Sequence, residues 1–185
     1  MLSDERKEQL RRIALEIHAR PEPAYEERFA CERLCAWLSE QGFDVIQRYA
    51  KLETSFKAKW GRGGTEFAFL AEYDALPELG HACGHNLIAV LALASAVELR
   101  ERMTLAGDEG RVSVIGCPAE ENKAGKAKMI ANGGFREVDA VAMAHPTSVV
   151  SVFHGALANA HLSVEFIGKP AHAAANTQQG RNALD

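Results

Sequence analysis

The sequence of 185 residues predicts an α/β fold, a three-layer α-β-α sandwich with a mixed, largely parallel sheet. Two observations carry this. Short apolar runs rich in Val, Ile and Phe alternate with longer segments in which apolar residues recur at helical spacing. Three successive strand-like runs, "FAFLAEY", "VSVIG" and "AVAMA", also lead straight into acidic, thiol or imidazole side chains. In parallel sheets, functional groups gather beyond the carboxyl ends of strands.

The elements follow in order. Residues 3–20 predict a helix, with Ser3 as N-cap, Asp4 and Glu5 in the first turn, and Leu10, Ile13, Ala14 and Ile17 on one face. "RPEP" breaks it, because each proline disfavours helix in the residue before it. A second helix is predicted from Tyr25 to Gln41, with Gly42 as the C′ residue. Cys31 and Cys35, four apart, share a face of it and pack as small apolar groups. "FDVIQRYA", "TSFKAKWG" and "TEFAFLAEY" read as strands, the last two separated by a "GRGG" turn. Leu87–Arg102 is apolar nearly all round as far as Glu98, which predicts a buried helix, with Asn86 as its N-cap. "RVSVIGCP" is a strand, "KAGKAKMIANGGF" a helix ended by Gly133 and Gly134, and "VDAVAMAHP" a strand. "LANAHLSVEFIG" alternates with Leu162, Val164 and Phe166 on one face, as an antiparallel strand would.

Hydrophobic residues make up 47% and charged residues 25%, enough apolar material for a core. A net charge of -4 without a basic cluster excludes an electrostatic footprint for nucleic acid. No apolar run approaches the ~20 residues that span a bilayer. The start, "MLSDERKEQLRRIALEI", lacks the apolar core of a signal peptide, so the expected compartment is the cytoplasm. Four cysteines in this pattern do not suggest a disulfide framework.

The chemistry concentrates in three places. His81, Cys83 and His85 fall within five positions of a Gly-containing loop, and can be a metal site, a Cys-His nucleophilic pair or a polar helix cap. The N-terminus of the following helix favours a thiolate at Cys83 under either of the first two readings. Glu120 and Glu121 follow a buried strand and point in different directions, so one can bind a metal while the other reaches a water on it. His145 ends the next strand, as a core histidine or a ligand. Together they form the imidazole, thiolate and carboxylate set that borderline metals accept. Such an ion activates water at neutral pH, and a free carboxylate nearby serves as general base.

In order, "AEYDALPELGHACGHNLIA", "GCPAEENKAGKAKMI", "VDAVAMAHP" and "FIGKPAHAAANTQQGRNALD" resemble the motifs of one metallopeptidase and amidohydrolase family. It includes aminoacylase, hippurate hydrolase, the auxin-conjugate amidohydrolases and p-aminobenzoyl-glutamate hydrolase. The "HACGHN" form, with Asn86 where many relatives have aspartate, is most similar to the aminobenzoyl-glutamate hydrolase and dipeptidase branch. The resemblance implies a zinc-exopeptidase-like catalytic domain and two divalent ions, zinc or manganese, with cobalt also suitable. It implies that Cys83 bridges them, that His85 and His145 complete one and that Glu121 binds the other. Glu120 would be the general base, Asp74 would orient a ligand, and His172 would polarise the substrate carbonyl, often across a dimer. The substrate would be an N-acyl amino acid or small dipeptide, with no nucleic acid or membrane partner.

The resemblance also implies an organisation. Residues 1–155 would be the amino-terminal part of the catalytic domain and residues 156–185 the start of an α+β lid through which the full protein dimerises. Thr177 stands where the family pattern has a proline. "GRNALD" reads as the first turn of a helix, and the last metal ligand, a histidine, is expected beyond residue 185. The chain alone is accordingly expected to be inactive or weakly active. The alternatives are a non-catalytic remnant that binds a metal or a partner, and a Cys-His hydrolase with Cys83 as nucleophile.

Overall fold

A computed structural model describes residues 2–152 and 162–184, which fall into two compact units, Met1–Ser148 and Val149–Asp185. In chain order the first unit holds α1 (Asp4–Ala19), α2 (Arg28–Glu40), β1 (Asp44–Gln47), β2 (Phe56–Arg62), β3 (Glu66–Ala71), α3 (His85–Ala106), β4 (Gly110–Gly116), α4 (Glu120–Lys123), α5 (Gly125–Ala131) and β5 (Ala140–Ala142). Among the described residues no helix is long and apolar enough to cross a membrane.

The sheet order is β1-β2-β4-β3-β5. β1 and β2 pair antiparallel, as do β2 and β4, whereas β3 runs parallel to both β4 and β5. The strand alternation divides the core. Phe56, Ala58, Ala71, Val112 and Val114 face α1, α2 and α3, while Ala68 and Ile115 face Met129 of α5 and Phe135 on the other side. Each fully buried Leu, Ile or Phe adds about 1.5–3 kcal/mol, so Ile13, Ile17, Leu34 and Leu38 hold α1 and α2 down by packing.

Ser3 caps α1 as expected, its Oγ accepting from the Arg6 amide at 3.3 Å. α2 begins at Arg28, not Tyr25, because Tyr25 is left-handed (φ 68) and cannot enter a helix. The Glu22 carboxylate caps α2 instead, accepting from the Phe29 and Ala30 amides at 3.0 Å each. Gly84, not Asn86, is the N-cap of α3; the Asn86 amide lies inside the helix and donates to the Ala14 carbonyl at 3.1 Å. α3 is also not buried all round, since Leu87 and Leu91 are 48% and 46% exposed.

The predicted helix over "KAGKAKMIANGGF" starts later, because Ala124 is left-handed and separates α4 from α5. "VDAVAMAHP" pairs only over Ala140–Ala142. In the second unit the predicted strand "LANAHLSVEFIG" does not form over residues 162–168, and residues 157–161 of it lie outside the described residues. Alternation alone cannot make a strand, since backbone groups need a partner ladder, and among the described residues the pairing beside this segment is a single bridge, Lys169 with Arg181. Leu162, Val164 and Phe166 are exposed there. "ANTQQG" forms a short 3-10 turn at Thr177–Gln179. Of "GRNALD", the described residues 180–184 form a turn instead of a helix, with the Asn182 side chain accepting from the Leu184 amide at 3.2 Å.

Candidate metal centre

Because β3, β4 and β5 run parallel, their carboxyl ends share one edge of the sheet, and the chemistry collects there. β3 leads into Glu72 and Asp74, which alternation places on one side of the chain, and both are buried. The loop beyond carries Cys83 to the start of α3, where His85 occupies the first helical position. Gly84 makes this junction possible. Its φ is +75, and a Cβ there would lie 2.9 Å from the Pro146 ring, next to His145. β4 leads through Cys117, Pro118 and a left-handed Ala119 into Glu120 and Glu121. Gly125 lies against this bend so closely that a Cβ would stand 1.7 Å from the Pro118 carbonyl oxygen.

His85 sits at the middle. Its Nδ1 donates to Asp74, with the carboxylate Oδ1 at 2.9 Å and the main-chain oxygen at 3.0 Å. Asp74 spends its other oxygen on the Glu121 amide at 3.0 Å, so one carboxylate ties His85 to the start of α4. With Nδ1 engaged, Nε2 is the free nitrogen, and it has Glu72 Oε2 and Glu121 Oε1 each 3.5 Å away. Both of those oxygens are buried and have no hydrogen-bond partner. Glu72 gives its Oε1 to the Lys126 ammonium, which also lies 3.9 Å from Glu120. The His145 ring stands edge-on to His85 with centroids 6.3 Å apart, its Nδ1 donating to the Pro146 carbonyl at 2.9 Å.

The surrounding charge has clear effects. Burial works against the His85 imidazolium, but the Asp74 hydrogen bond and the charges of Asp74, Glu72 and Glu121 hold its pKa above the usual value. Burial works against the Asp74 carboxylate too, and the bonds from His85 and the Glu121 amide outweigh it and lower the pKa. Cys83 goes the other way. Its hydrogen bond to Glu121, then burial and the charges of Glu121, Glu120 and Asp74 push the thiol up to about 11. The expected helix-dipole activation of Cys83 is overridden by these carboxylates.

Leaving buried carboxylate oxygens unpaired costs several kcal/mol, and a cation removes that cost. Glu72, His85 and His145 offer donor atoms within 4.8 Å of one another, and so do His85, Glu120 and Glu121. Imidazole nitrogen with carboxylate oxygen suits a divalent metal, so the residues present fit one.

No protein-family model matches the chain. Among curated proteins it is 39% identical over 201 residues to the Xaa-Arg dipeptidase of Mus musculus, covering 98% of this chain and 45% of that protein. It is 36% identical over 191 residues to one of the p-aminobenzoyl-glutamate hydrolase polypeptides of Escherichia coli, covering 94% of this chain and 40% of that one. A Bacillus subtilis structure, a dinuclear metal-binding peptidase from the M20 family, superposes with a TM-score of 0.66 at 27% identity over 75% of this chain and 43% of its own. The chain belongs to the M20 metallopeptidase and amidohydrolase family. It spans less than half the length of the curated M20 relatives it matches.

Among the residues singled out in the sequence of this M20 chain, Asp74, His85, Glu120, Glu121 and His145 come together at the sheet edge, with Cys83 beside Glu121. His172 lies in the second unit, where its Nδ1 accepts from the Ala174 amide at 3.1 Å. His81 is buried with both ring nitrogens unpartnered, near His18 with ring centroids 6.3 Å apart. Glu72 and Lys126 belong to the same cluster but do not stand out in the sequence. The available signal was the spacing of Glu72 and Asp74, two apart at the end of a strand and so on one face.

Proposed function

We propose that this chain carries the metal-binding and general-base groups of a metal-dependent amidohydrolase that cleaves the amide bond of an N-acyl amino acid or small dipeptide. The observation that carries it is the pair of buried, unpartnered oxygens of Glu72 and Glu121, each 3.5 Å from His85 Nε2. The kinship with an Xaa-Arg dipeptidase and a p-aminobenzoyl-glutamate hydrolase supports amide hydrolysis as the reaction.

His85, His145, Glu121 and Cys83 would hold two divalent ions, zinc or manganese, with cobalt also suited to the donors. That donor set would supply Lewis-acid chemistry when loaded, the kind that brings the pKa of a bound water to about 7. The chain's own residues do the rest. Asp74 fixes the His85 ring so that Nε2 faces the donors. Glu120, the more exposed of the two glutamates at the mouth, takes the proton of the attacking water and returns it to the leaving nitrogen. Lys126 neutralises Glu72 and stands near Glu120. His172, read as part of a lid over residues 156–185, would polarise the carbonyl across a dimer formed through that lid. Four free cysteines suit a reducing compartment such as the cytoplasm.

A Cys83 nucleophile is disfavoured, because a thiol pushed up to about 11 carries little thiolate at neutral pH. The test is metal content per chain by elemental analysis, with hydrolysis of N-acyl amino acids and dipeptides assayed for wild type and Glu120→Gln. Metal held to a similar level in both, with the weak turnover expected of this chain lost altogether in the variant, is the expected result. Hydrolysis that survives chelation but not thiol alkylation would sink the proposal in favour of the cysteine enzyme.

A further inference from the structure

Glu27 precedes α2 and its side chain is fully buried, yet it makes no capping bond to its own helix, a task Glu22 performs. It turns inward instead. Oε2 accepts from the Thr54 hydroxyl at 2.6 Å and Oε1 accepts from the Ala119 amide at 2.7 Å. Each bond leads to one of the strand ends that carry the site. The Thr54 carbonyl accepts from the Tyr73 hydroxyl at 2.6 Å, and Tyr73 lies between Glu72 and Asp74. Ala119, left-handed at φ 59, is the residue before Glu120 and Glu121. One buried carboxylate therefore reaches both the end of β3 and the bend after β4.

We infer that Glu27 is a positioning residue of the metal centre, setting the spacing between the Glu72–Asp74 segment and the Glu120–Glu121 turn. The inference rests on the metal-centre reading above. A left-handed alanine is a costly backbone state that persists where its surroundings fix it, and the hydrogen bond from its amide to buried Glu27 does so here. The Glu121 amide is in turn bonded to Asp74, so a shift at Ala119 passes directly to the carboxylate that orients His85. Outer partners of metal ligands of this kind alter metal affinity by about 10–100-fold when removed.

The experiment compares wild type with Glu27→Gln, Glu27→Ala and Thr54→Val in the whole chain. Three readouts are taken: zinc affinity by competition with a chromophoric chelator, amide hydrogen exchange at Ala119 and Glu121, and thermal melting. Glu27→Ala is expected to weaken zinc by about 10–100-fold and to lose exchange protection at both amides. Thr54→Val should give a smaller loss in the same direction. Glu27→Gln, whose amide can still accept from Ala119 and donate to Thr54, should restore wild-type zinc affinity to within about three-fold. A lower melting temperature with unchanged zinc affinity and unchanged protection at Ala119 and Glu121 would make Glu27 a purely structural residue and overturn the inference. If Glu27→Ala does not fold, Thr54→Val decides between the same two results. If wild type itself binds no zinc, the metal-centre reading fails separately, and the exchange data alone show whether Glu27 holds the turn.

Discussion

β3 has a buried acid at its beginning and others just past its end, and the two ends treat their acids differently. At the beginning, Glu66 Oε1 is met by Lys57 at 2.7 Å and by the Ser113 hydroxyl at 2.7 Å, and Arg111 stands 3.5 Å from Oε2. The chain supplies two fixed cations from β2 and β4, so the charge is closed, although Oε2 itself, like the oxygens at the other end, has no hydrogen bond. Past the other end, Glu72, Asp74 and Glu121 surround His85 with Lys126 as the nearest cation, and two buried oxygens face the free imidazole nitrogen without a partner. Burial alone therefore does not mark a functional acid. What separates the two ends is the flanking charge: two fixed cations close on Glu66, whereas Glu72 and Glu121 share one imidazole nitrogen 3.5 Å away.

The largest effect is expected at the closed end. Lys57→Met leaves Glu66 buried without its main partner, and is expected to destabilise the fold by about 3–5 kcal/mol in urea melts, with metal affinity unchanged. A change in metal affinity there would mean that the two ends are coupled. At the open end, Asp74→Asn weakens the hold on His85 and should lower metal affinity by about 10–100-fold in a chelator competition, with a much smaller effect on the metal-free melt. An equal loss of stability would make Asp74 a structural group like Glu66.

The smallest effect is the pH dependence of the closed end. Burial by itself would raise the Glu66 pKa, but the hydrogen bonds from Lys57 and Ser113 and the charges of Lys57 and Arg111 bring it below the usual carboxylate value. A lowered folded-state pKa means that the contribution is complete above the unfolded-state value and is lost as pH falls through the lowered one. Wild type and Glu66→Gln should therefore differ most in unfolding free energy near neutral pH and converge in acid. A constant difference down to low pH would show that Glu66 is not held ionised by these partners.

Much of this arrangement was legible in the sequence, for physical reasons that differ by element. The Ser3 cap, the Leu10–Ile17 face and the Gly42 stop are local signals, and they placed α1 and the end of α2 closely. The gathering of Asp74, His85, Glu120, Glu121 and His145 followed from three strands ending in polar groups. Ala119 and Ala124 were not legible, because alanine does not advertise a left-handed backbone and tertiary contacts impose it. The roles of Glu22 and Glu27 were hidden for a related reason, since acids a few residues apart before a helix look alike until one caps and the other turns inward. The alternation at Leu162, Val164 and Phe166 misled, because a period of two describes a strand only where a neighbour accepts its hydrogen bonds.

The sheet order has a consequence for how a newly made chain reaches this state. β2 and β3 follow each other across residues 63–65 but are not neighbours, since β4 lies between them and arrives only with residues 110–116. A nascent chain must keep these two strands from closing as a hairpin until the third is synthesised, and β3 then pairs parallel to it across the intervening α3. Such non-local pairing makes folding slow and collective. Until that insertion occurs, the acids at the ends of β3 and β4 are not held together, so selective metal capture is a late event in the life of the chain.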